Sequence, residues 1–122
     1  MQVLVVDDDK LLLKAIAQCL ESNSMGVISA ENGLQAMDAL EKHKPDLIIC
    51  DVMMPGFSGL GLLSLLNNFY LNKIPIIIIS SLDKADVIAS SKKLGAVDYI
   101  TKPINFEYLI NLVKRYLPAE SS

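Results

Sequence analysis

The sequence predicts an α/β protein built on a doubly wound parallel sheet of five strands. Five short apolar segments recur at intervals of about 20–25 residues along the 122-residue chain, and segments of helix length separate them. Three of these apolar segments are continuous instead of alternating, which is typical of strands covered by helices on both faces. Crossovers between parallel strands are right-handed, so an alternation of strand and helix favours one sheet between two helical layers.

The predicted strands are the five apolar segments, namely Gln2–Val6, Gly26–Ala30, 46–50, 74–79 and 97–100. The second and fifth contain polar residues, Ser29 and Asp98, whereas the others are apolar throughout their centres. Strands buried on both faces carry few polar residues. We therefore expect the second and fifth strands to lie nearer the edges of the sheet.

The predicted helices have recognisable ends. Four of them cover 10–20, Gly33–His43, 84–94 and 106–117. The fifth predicted helix is rich in leucine and includes 62–70. Asn32, Asp83 and Asn105 stand where a side-chain oxygen can accept a first-turn N–H. Gln35 is expected to complete a capping box with Asn32. Gly95 and Pro118 are suited to end two of the helices.

Composition excludes several classes of protein. The apolar fraction of 52% excludes disorder, and a net charge of −3 leaves no basic stripe for direct nucleic-acid binding. The first six residues do not resemble a signal peptide, because they are few and have no basic start, and no apolar segment is long enough for us to expect membrane insertion. Cys19 and Cys50 lie in apolar segments and are expected to be buried thiols. We expect a cytoplasmic protein with one domain over 1–118 and a tail or linker start over 119–122.

Acidic residues follow two of the predicted strands. Asp7, Asp8 and Asp9 come directly after the first strand, and Asp51 comes after the third. Ligands of open parallel sheets bind beyond the carboxyl ends of the strands. Like charges brought together there cost stability unless a cation joins them, and carboxylate oxygens suit Mg²⁺. We therefore expect Asp7, Asp8 and Asp51 to hold Mg²⁺ (or Mn²⁺), and Asp9 to cap the following helix.

Two further strand ends supply groups that suit a phosphoryl ligand. Ser80 and Ser81 end the fourth strand, and Lys102 and Pro103 follow the fifth. A metal ion and an ammonium group neutralise phosphoryl oxygens, a hydroxyl donates a hydrogen bond to one of them, and a carboxylate can act as the nucleophile. The four strand ends together predict a phosphoryl-binding site.

The chain resembles the receiver domain of bacterial two-component response regulators. The resemblance runs from residue 1 to about residue 117 and rests on four motifs in matching order, VVDDD (5–9), DVMMPGFSG (51–59), IIIISS (76–81) and YITKP (99–103). It implies the flavodoxin-like strand order 2-1-3-4-5, which a chemotaxis member of this family exemplifies. It also implies a phosphorylation-dependent signalling switch that catalyses only its own phosphorylation and dephosphorylation. The phosphoryl donor would be a histidine kinase or a phosphotransfer protein.

The resemblance also implies roles for individual residues. Asp51 matches the phosphoacceptor, and Asp7 and Asp8 match the acid pair that holds Mg²⁺. The backbone carbonyl of Met53 would be a further metal ligand. Lys102 would pair with a phosphoryl oxygen.

The same comparison implies a conformational switch. Ser80 matches the switch hydroxyl, which moves to the phosphoryl group, and Tyr99 matches the switch aromatic, which then turns inward. The remaining loop positions carried over from the family are Pro55, Gly56, Ser81 and Pro103, the last expected to follow a cis peptide bond. Met53 and Leu82 are apolar where some relatives orient a hydrolytic water, so we expect self-dephosphorylation over minutes or longer.

Two surfaces are candidates for partner binding. Segment 84–117 forms the face through which many receivers signal to a downstream partner or output domain, with candidate residues Val87, Ile88, Tyr99, Tyr108 and Lys114. The apolar arc of the leucine-rich helix is wider than a usual core stripe. It consists either of scattered surface leucines or of a partner or homodimer surface.

A different enzyme class shares part of the site chemistry. A haloacid-dehalogenase-type Mg²⁺-dependent phosphohydrolase also uses an aspartyl phosphate, and Asp7 and Asp9 imitate its DxD motif. Such an enzyme carries a further acidic pair after the lysine, whereas only Glu107 and Glu120 follow Lys102 here, and the chain has no room for a cap domain. A receiver-like module that needs no phosphate conflicts with the complete acid set. An FMN carrier would need a phosphate-cradling loop.

Overall fold

A computed structural model of the chain describes residues 1–54, 57, 58, 61, 74–81 and 85–117. The main sheet contains β1 (Gln2–Val6), β2 (Gly26–Ala30), β3 (Leu47–Asp51), β4 (Ile76–Ser80) and β5 (Asp98–Thr101). The described helices are α1 (Lys10–Glu21), α2 (Gly33–His43), α3 (Ala85–Lys93) and α4 (Phe106–Tyr116). Beyond β3, Met53–Met54 and Phe57–Ser58 form a two-residue antiparallel ladder.

The five strands are parallel and lie in the order β2-β1-β3-β4-β5. This is the predicted order, and it places the two strands with polar residues at the edges. Every residue of β3 and of β4 is buried, whereas β2 is partly exposed. The central strands are therefore covered on both faces, as their continuous apolar sequences predict.

Successive strand residues pack into two core layers, because their side chains point to opposite faces of the sheet. One layer contains Leu4, Ile48 and Ile78 and packs against α2 and α3. The other contains the adjacent strand residues and packs against α1 and α4, with members that include Val5, Ile49 and Ile77. All six of these side chains are fully buried. The sheet is thus a rigid platform whose carboxyl edge carries the acidic residues.

Several strand boundaries differ slightly from the predicted ones. The bounds of β1, β2 and α2 are those predicted, whereas β3 and β5 begin and end one residue later than expected. The fourth strand begins at Ile76 and not at Ile74, since Pro75 has no N–H to donate to the sheet, although its carbonyl accepts from the Ile48 N–H. Apolar residues continue beyond the hydrogen-bonded part of these strands, so the apolar pattern does not show where each strand begins or ends.

Side-chain caps fix the starts of three helices. Asp9 Oδ1 accepts the N–H groups of Leu11 and Leu12 at the start of α1. Asn105 Oδ1 accepts the Tyr108 N–H, 3.0 Å away, at the start of α4. These contacts confirm both predicted caps.

The cap of α2 differs in one detail from the predicted capping box. Asn32 Oδ1 accepts the Gln35 N–H at 2.8 Å, as predicted. Gln35 Oε1, however, accepts the N–H of Glu31 at 2.7 Å, one residue before the cap. Asn32 itself has an extended backbone. A different helix, α3, ends as predicted: Gly95 adopts a φ of 114° in the turn that follows it.

Some predictions fall on residues outside the described ranges. They concern Pro55, Gly56, the leucine-rich helix that includes 62–70, Leu82, the Asp83 cap, Lys84, Pro118 and the segment 119–122. Among the described helices, none combines the length and apolar character that crossing a bilayer requires. Both cysteines are free, but only Cys50 is fully buried; Cys19 is half-buried at the margin of the α1 contact with the sheet.

Candidate functional site

The carboxyl ends of β1 and β3 bring three aspartates together. Asp7 follows β1 directly and is fully buried, and Asp51 is the last residue of β3 and is 4% exposed. Asp8 is exposed beside them. Carboxylate oxygens of Asp7, Asp8 and Asp51 all lie within 4.8 Å of one another. The strand order therefore produces the acidic cluster that the sequence predicts.

Lys102 reaches this cluster from the end of β5. Its Nζ donates to Asp51 Oδ2 at 3.0 Å and forms an ion pair with Asp7 Oδ2 at 3.1 Å. The backbone N–H of Lys102 donates to the carbonyl of Ser80 at 2.7 Å, which fixes the backbone at Lys102 to the end of β4. With 22% of its side chain exposed, Lys102 contacts both buried carboxylates and remains open to an incoming ligand.

The two oxygens of the Asp7 carboxylate have different contacts. Its Oδ1 accepts the Asp9 N–H at 2.9 Å, and its backbone N–H donates to Ala30 at the end of β2. Its Oδ2 is buried and accepts no hydrogen bond from the described residues, since the contact with Lys102 has the distance of an ion pair but not the angles of a hydrogen bond. A buried carboxylate oxygen in this state has lone pairs available for a cation.

Burial and charge set the proton affinities of this group. Burial raises the pKa of Asp7 and the Asp51 charge adds to this, although the Asp9 N–H and Lys102 oppose it. Burial lowers the pKa of Lys102, but its contacts with Asp51 and Asp7 outweigh burial and leave that pKa above the usual value. Lys102 therefore stays charged at neutral pH.

The donor set suits Mg²⁺. Three carboxylates supply hard oxygen ligands, Asp7 Oδ2 is buried and accepts no hydrogen bond from the described residues, and exposed Asp8 opens the cluster to solvent. Mg²⁺ is held by a few carboxylates and keeps several waters, so an open cluster of this kind fits it. The backbone of Met53, the other expected ligand, lies in the short ladder two residues after Asp51.

The remaining predicted site residues lie on the same edge of the sheet. Ser80 ends β4, is fully buried and pairs in register with Thr101. Ser81 is exposed, and the Lys102–Pro103 peptide bond is cis. Tyr99 is buried, in the core layer on the side of α2 and α3.

The proposed signalling face divides into exposed and covered residues. Tyr108 is 50% exposed and Lys114 is exposed, whereas Val87 and Ile88 are half-buried against the core. Of the five candidates, Tyr99 is the one that contributes least surface. A partner on this face would therefore contact Tyr108 and Lys114 directly.

Comparison with known proteins identifies the family. Residues 3–114 match the description of the response regulator receiver domain. The chain belongs to this family. It is 32% identical over 121 residues to sporulation initiation phosphotransferase F of Bacillus subtilis (strain 168), which covers 99% of this chain and 97% of that protein. It is also 32% identical over 113 residues to the DNA-binding transcriptional regulator NtrC of Escherichia coli (strain K12), covering 93% of this chain and 24% of that protein.

The structural comparison agrees with the receiver assignment. The receiver domain of the Francisella response regulator 1452 superposes with a TM-score of 0.89 at 35% identity and covers 94% of each chain. The resemblance inferred from the four motifs is therefore confirmed, together with the five-stranded flavodoxin-like sheet. The protein is a phosphorylation-dependent signalling switch of the two-component class, and the phosphohydrolase alternative is not favoured.

The motifs did not indicate two features of the site. The Asp9 backbone amide orients the Asp7 carboxylate, although Asp9 was expected only to cap α1. Lys102 contacts Asp7 as well as Asp51, although the resemblance implied a contact with a phosphoryl oxygen. The run of three aspartates gives a signal for the first feature, because an aspartate two residues before a helix cap can accept the cap residue's N–H.

Proposed function

We propose that Asp51 is the phosphoacceptor of this receiver domain. One arrangement carries the proposal: a nearly buried carboxylate at the end of β3, hydrogen-bonded to a charged lysine and grouped with two further carboxylates. The lysine orients the Asp51 carboxylate through Oδ2, and an oxygen of that carboxylate would attack phosphorus. Asp7 and Asp8, with the Met53 carbonyl, would hold Mg²⁺, which neutralises charge on the phosphoryl oxygens when bound.

The transfer exchanges one phosphorus bond for another. An Asp51 oxygen bonds to the phosphorus of a phosphohistidine on a histidine kinase or phosphotransfer protein, while the P–N bond breaks and the imidazole leaves with its proton. Lys102 transfers one contact from the Asp51 carboxylate to a phosphoryl oxygen. Water attack on the acyl phosphate later restores Asp51, and no turnover of external substrates is expected.

The phosphoryl group would be read through Ser80 and Tyr99. The Ser80 hydroxyl moves to a phosphoryl oxygen, and Tyr99 occupies the space beneath it, so that one local charge change biases a two-state element. Ser81, Pro103, Pro55 and Gly56 would shape the loops around the phosphoryl group. The altered face over 84–117 would then change its affinity for a downstream partner, an output domain or a second copy of the chain.

Mass spectrometry after incubation with acetyl phosphate and Mg²⁺ tests the assignment. Wild type is expected to gain the mass of one phosphoryl group, and Asp51→Asn none. Asp86→Asn, which removes an exposed carboxylate of α3, is the matched control and should gain the group like wild type. A phosphoryl group on Asp51→Asn, or steady hydrolysis of many phosphate esters, would contradict the proposal.

The lifetime of the phosphorylated form is a separate part of the proposal. Apolar Met53 and Leu82 would leave a hydrolytic water without an orienting side chain, which supports a lifetime of minutes or longer. Decay of the phosphorylated mass in excess Mg²⁺ without a phosphatase measures it. Decay within seconds would show that another group orients the water.

A further inference from the structure

The last residue of α4 is attached to the start of β5. The Tyr116 hydroxyl lies 3.2 Å from the Val97 carbonyl and 3.2 Å from Asp98 Oδ2. A phenol has one hydrogen, so it donates to one of these acceptors at a time. Because both acceptors are within reach, a small movement of Asp98 decides which of them the Tyr116 hydroxyl bonds.

The same carboxylate holds the residue next in sequence. Asp98 Oδ1 accepts the backbone N–H of Tyr99 at 2.9 Å, while Oδ2 faces Tyr116. The two oxygens belong to one rigid planar group, so a movement at one changes the geometry at the other. Hydrogen bonds to a carboxylate are stronger than those between neutral groups. The Asp98 carboxylate therefore links the Tyr99 backbone firmly to the Tyr116 hydroxyl.

Asp98 and Tyr99 face opposite layers of the molecule. The Tyr99 ring packs in the layer on the side of α2 and α3, with Ala96 and Ile78. Asp98 points the other way, as does Ile100 two residues later, into the layer that contains Tyr116. A change at Tyr99 on one face of the sheet therefore has a direct path to α4 on the other face.

We propose that Asp98 and Tyr116 are positioning residues that transmit the Tyr99 rearrangement through the sheet to the last turn of α4. This inference rests on the proposed function, in which phosphorylation of Asp51 drives that rearrangement. As the backbone at Tyr99 adjusts, the Asp98 carboxylate follows its N–H, and the Tyr116 hydroxyl transfers between Asp98 and the Val97 carbonyl. The switch is then read on both faces of the sheet, and α4 reports it at the pole opposite Asp51.

Fluorine NMR of the full chain carrying 3-fluorotyrosine tests the connection. The sequence contains four tyrosines, so each resonance can be assigned by a Tyr→Phe variant. Addition of beryllofluoride with Mg²⁺, a stand-in for the phosphoryl group, is expected to shift the resonances of both Tyr99 and Tyr116. In Asp98→Ala, the Tyr99 resonance is expected to shift as before and the Tyr116 resonance to stay unmoved.

Asp86→Ala is the matched control. Asp86 Oδ1 likewise accepts the N–H of the next residue, Val87, but on exposed α3. This variant should keep both shifts. If the Asp98→Ala chain does not fold, Tyr116→Phe retains the ring, and hydrogen exchange at the Leu117 N–H, which donates to Val113, replaces the fluorine signal. Beryllofluoride should change that exchange rate in wild type but not in Tyr116→Phe.

The outcomes separate this inference from the proposed function. A Tyr116 resonance that stays still in wild type while Tyr99 shifts overturns the inference and leaves Asp51 as phosphoacceptor. An equal Tyr116 shift in wild type and Asp98→Ala overturns it as well. If no tyrosine responds and Asp51 takes up no phosphoryl group, both the inference and the proposed function fail.

Discussion

Lys102 Nζ lies 3.0 Å from Asp51 Oδ2, although 51 positions separate the two residues in the chain. The same ammonium group lies 3.1 Å from Asp7 Oδ2. One positive charge therefore serves two buried carboxylates before any ligand binds. Among the residues that the structure describes, the three clustered carboxylates face the one ammonium group of Lys102.

Removal of the lysine charge should destabilise the protein strongly. Lys102→Met removes the positive charge that contacts buried Asp7 and Asp51, and breaking a buried pair in this way costs about 3–5 kcal/mol. Because Lys102 keeps some exposure, we expect the low end, about 3 kcal/mol in metal-free buffer by urea unfolding. Lys42→Met, which breaks the exposed pair with Asp38, should cost less than about 1 kcal/mol. Equal losses in the two variants would contradict the expected role of burial.

Asp7 should make the metal-free protein less stable as the pH rises. Burial raises its pKa in the folded state above the ordinary value of 3.8, so the folded protein holds this proton more tightly than the unfolded chain. The stability that Asp7 contributes is thus fully present below pH 3.8 and is lost as the pH rises through the folded pKa. Asp7→Asn should therefore be more stable than wild type at pH 7.

The pH series provides the control for this prediction. The stability advantage of Asp7→Asn in metal-free buffer should shrink as the pH falls to 3.8 and below, since Asp7 then becomes neutral in both states of wild type. Urea unfolding of both proteins at each pH measures the difference. An advantage that is constant with pH, or a less stable variant at pH 7, would show that another contact of Asp7 dominates.

Mg²⁺ should stabilise the folded protein through Asp8. A ligand that binds only the folded state adds about 2.7 kcal/mol at roughly 100 times its Kd. Asp8→Ala removes one of the three clustered carboxylates without disturbing the core, because Asp8 is exposed. We expect the Mg²⁺-dependent rise in Tm to be largely lost in Asp8→Ala and kept in Asp38→Ala, which removes an exposed carboxylate of α2. A full rise in Asp8→Ala would exclude Asp8 as a ligand.

Asp9 should act on stability through its cap. Asp9→Ala removes the acceptor of the Leu11 and Leu12 N–H groups and is expected to cost about 1 kcal/mol by urea unfolding. Asp9→Asn keeps an oxygen at the same place and should cost much less. Since the Asp9 backbone N–H also orients Asp7, Asp9→Ala should in addition weaken Mg²⁺ binding if the start of α1 frays. If Asp9→Ala and Asp9→Asn lose similar unfolding free energy, the negative charge of Asp9 contributes more to stability than its capping hydrogen bonds.

Local sequence chemistry accounts for much of the fold. Asp9, Asn32 and Asn105 cap helices as predicted, because a cap depends on a few neighbouring atoms. The continuous apolar character of β3 and β4 correctly placed them in the centre of the sheet. The predicted strand ends were less accurate, since apolar residues such as Ile74 lie outside the hydrogen-bonded strand.

Local sequence patterns did not predict the side-chain contacts between elements that are distant in the chain. Convergence of Asp7 and Asp51 followed from strand order alone, but the second contact of Lys102 depends on how far its side chain extends across β4. The Tyr116 bond to Asp98 joins α4 to β5 through one hydroxyl, and tyrosines near a helix end are common without such a partner. The short ladder of Met53–Met54 with Phe57–Ser58 has too few residues to show a strand pattern.

The strand order β2-β1-β3-β4-β5 also bears on how the protein folds. All neighbouring strands of the sheet are parallel, so none of these pairs is a hairpin that could form early from adjacent residues. Asp7, Asp51 and Lys102 lie at the ends of three different strands, so no local segment of the chain contains the acidic cluster together with its lysine. Mg²⁺ affinity should therefore emerge late in refolding, together with native sheet pairing, so that the ion would act as a kinetic probe of that last step.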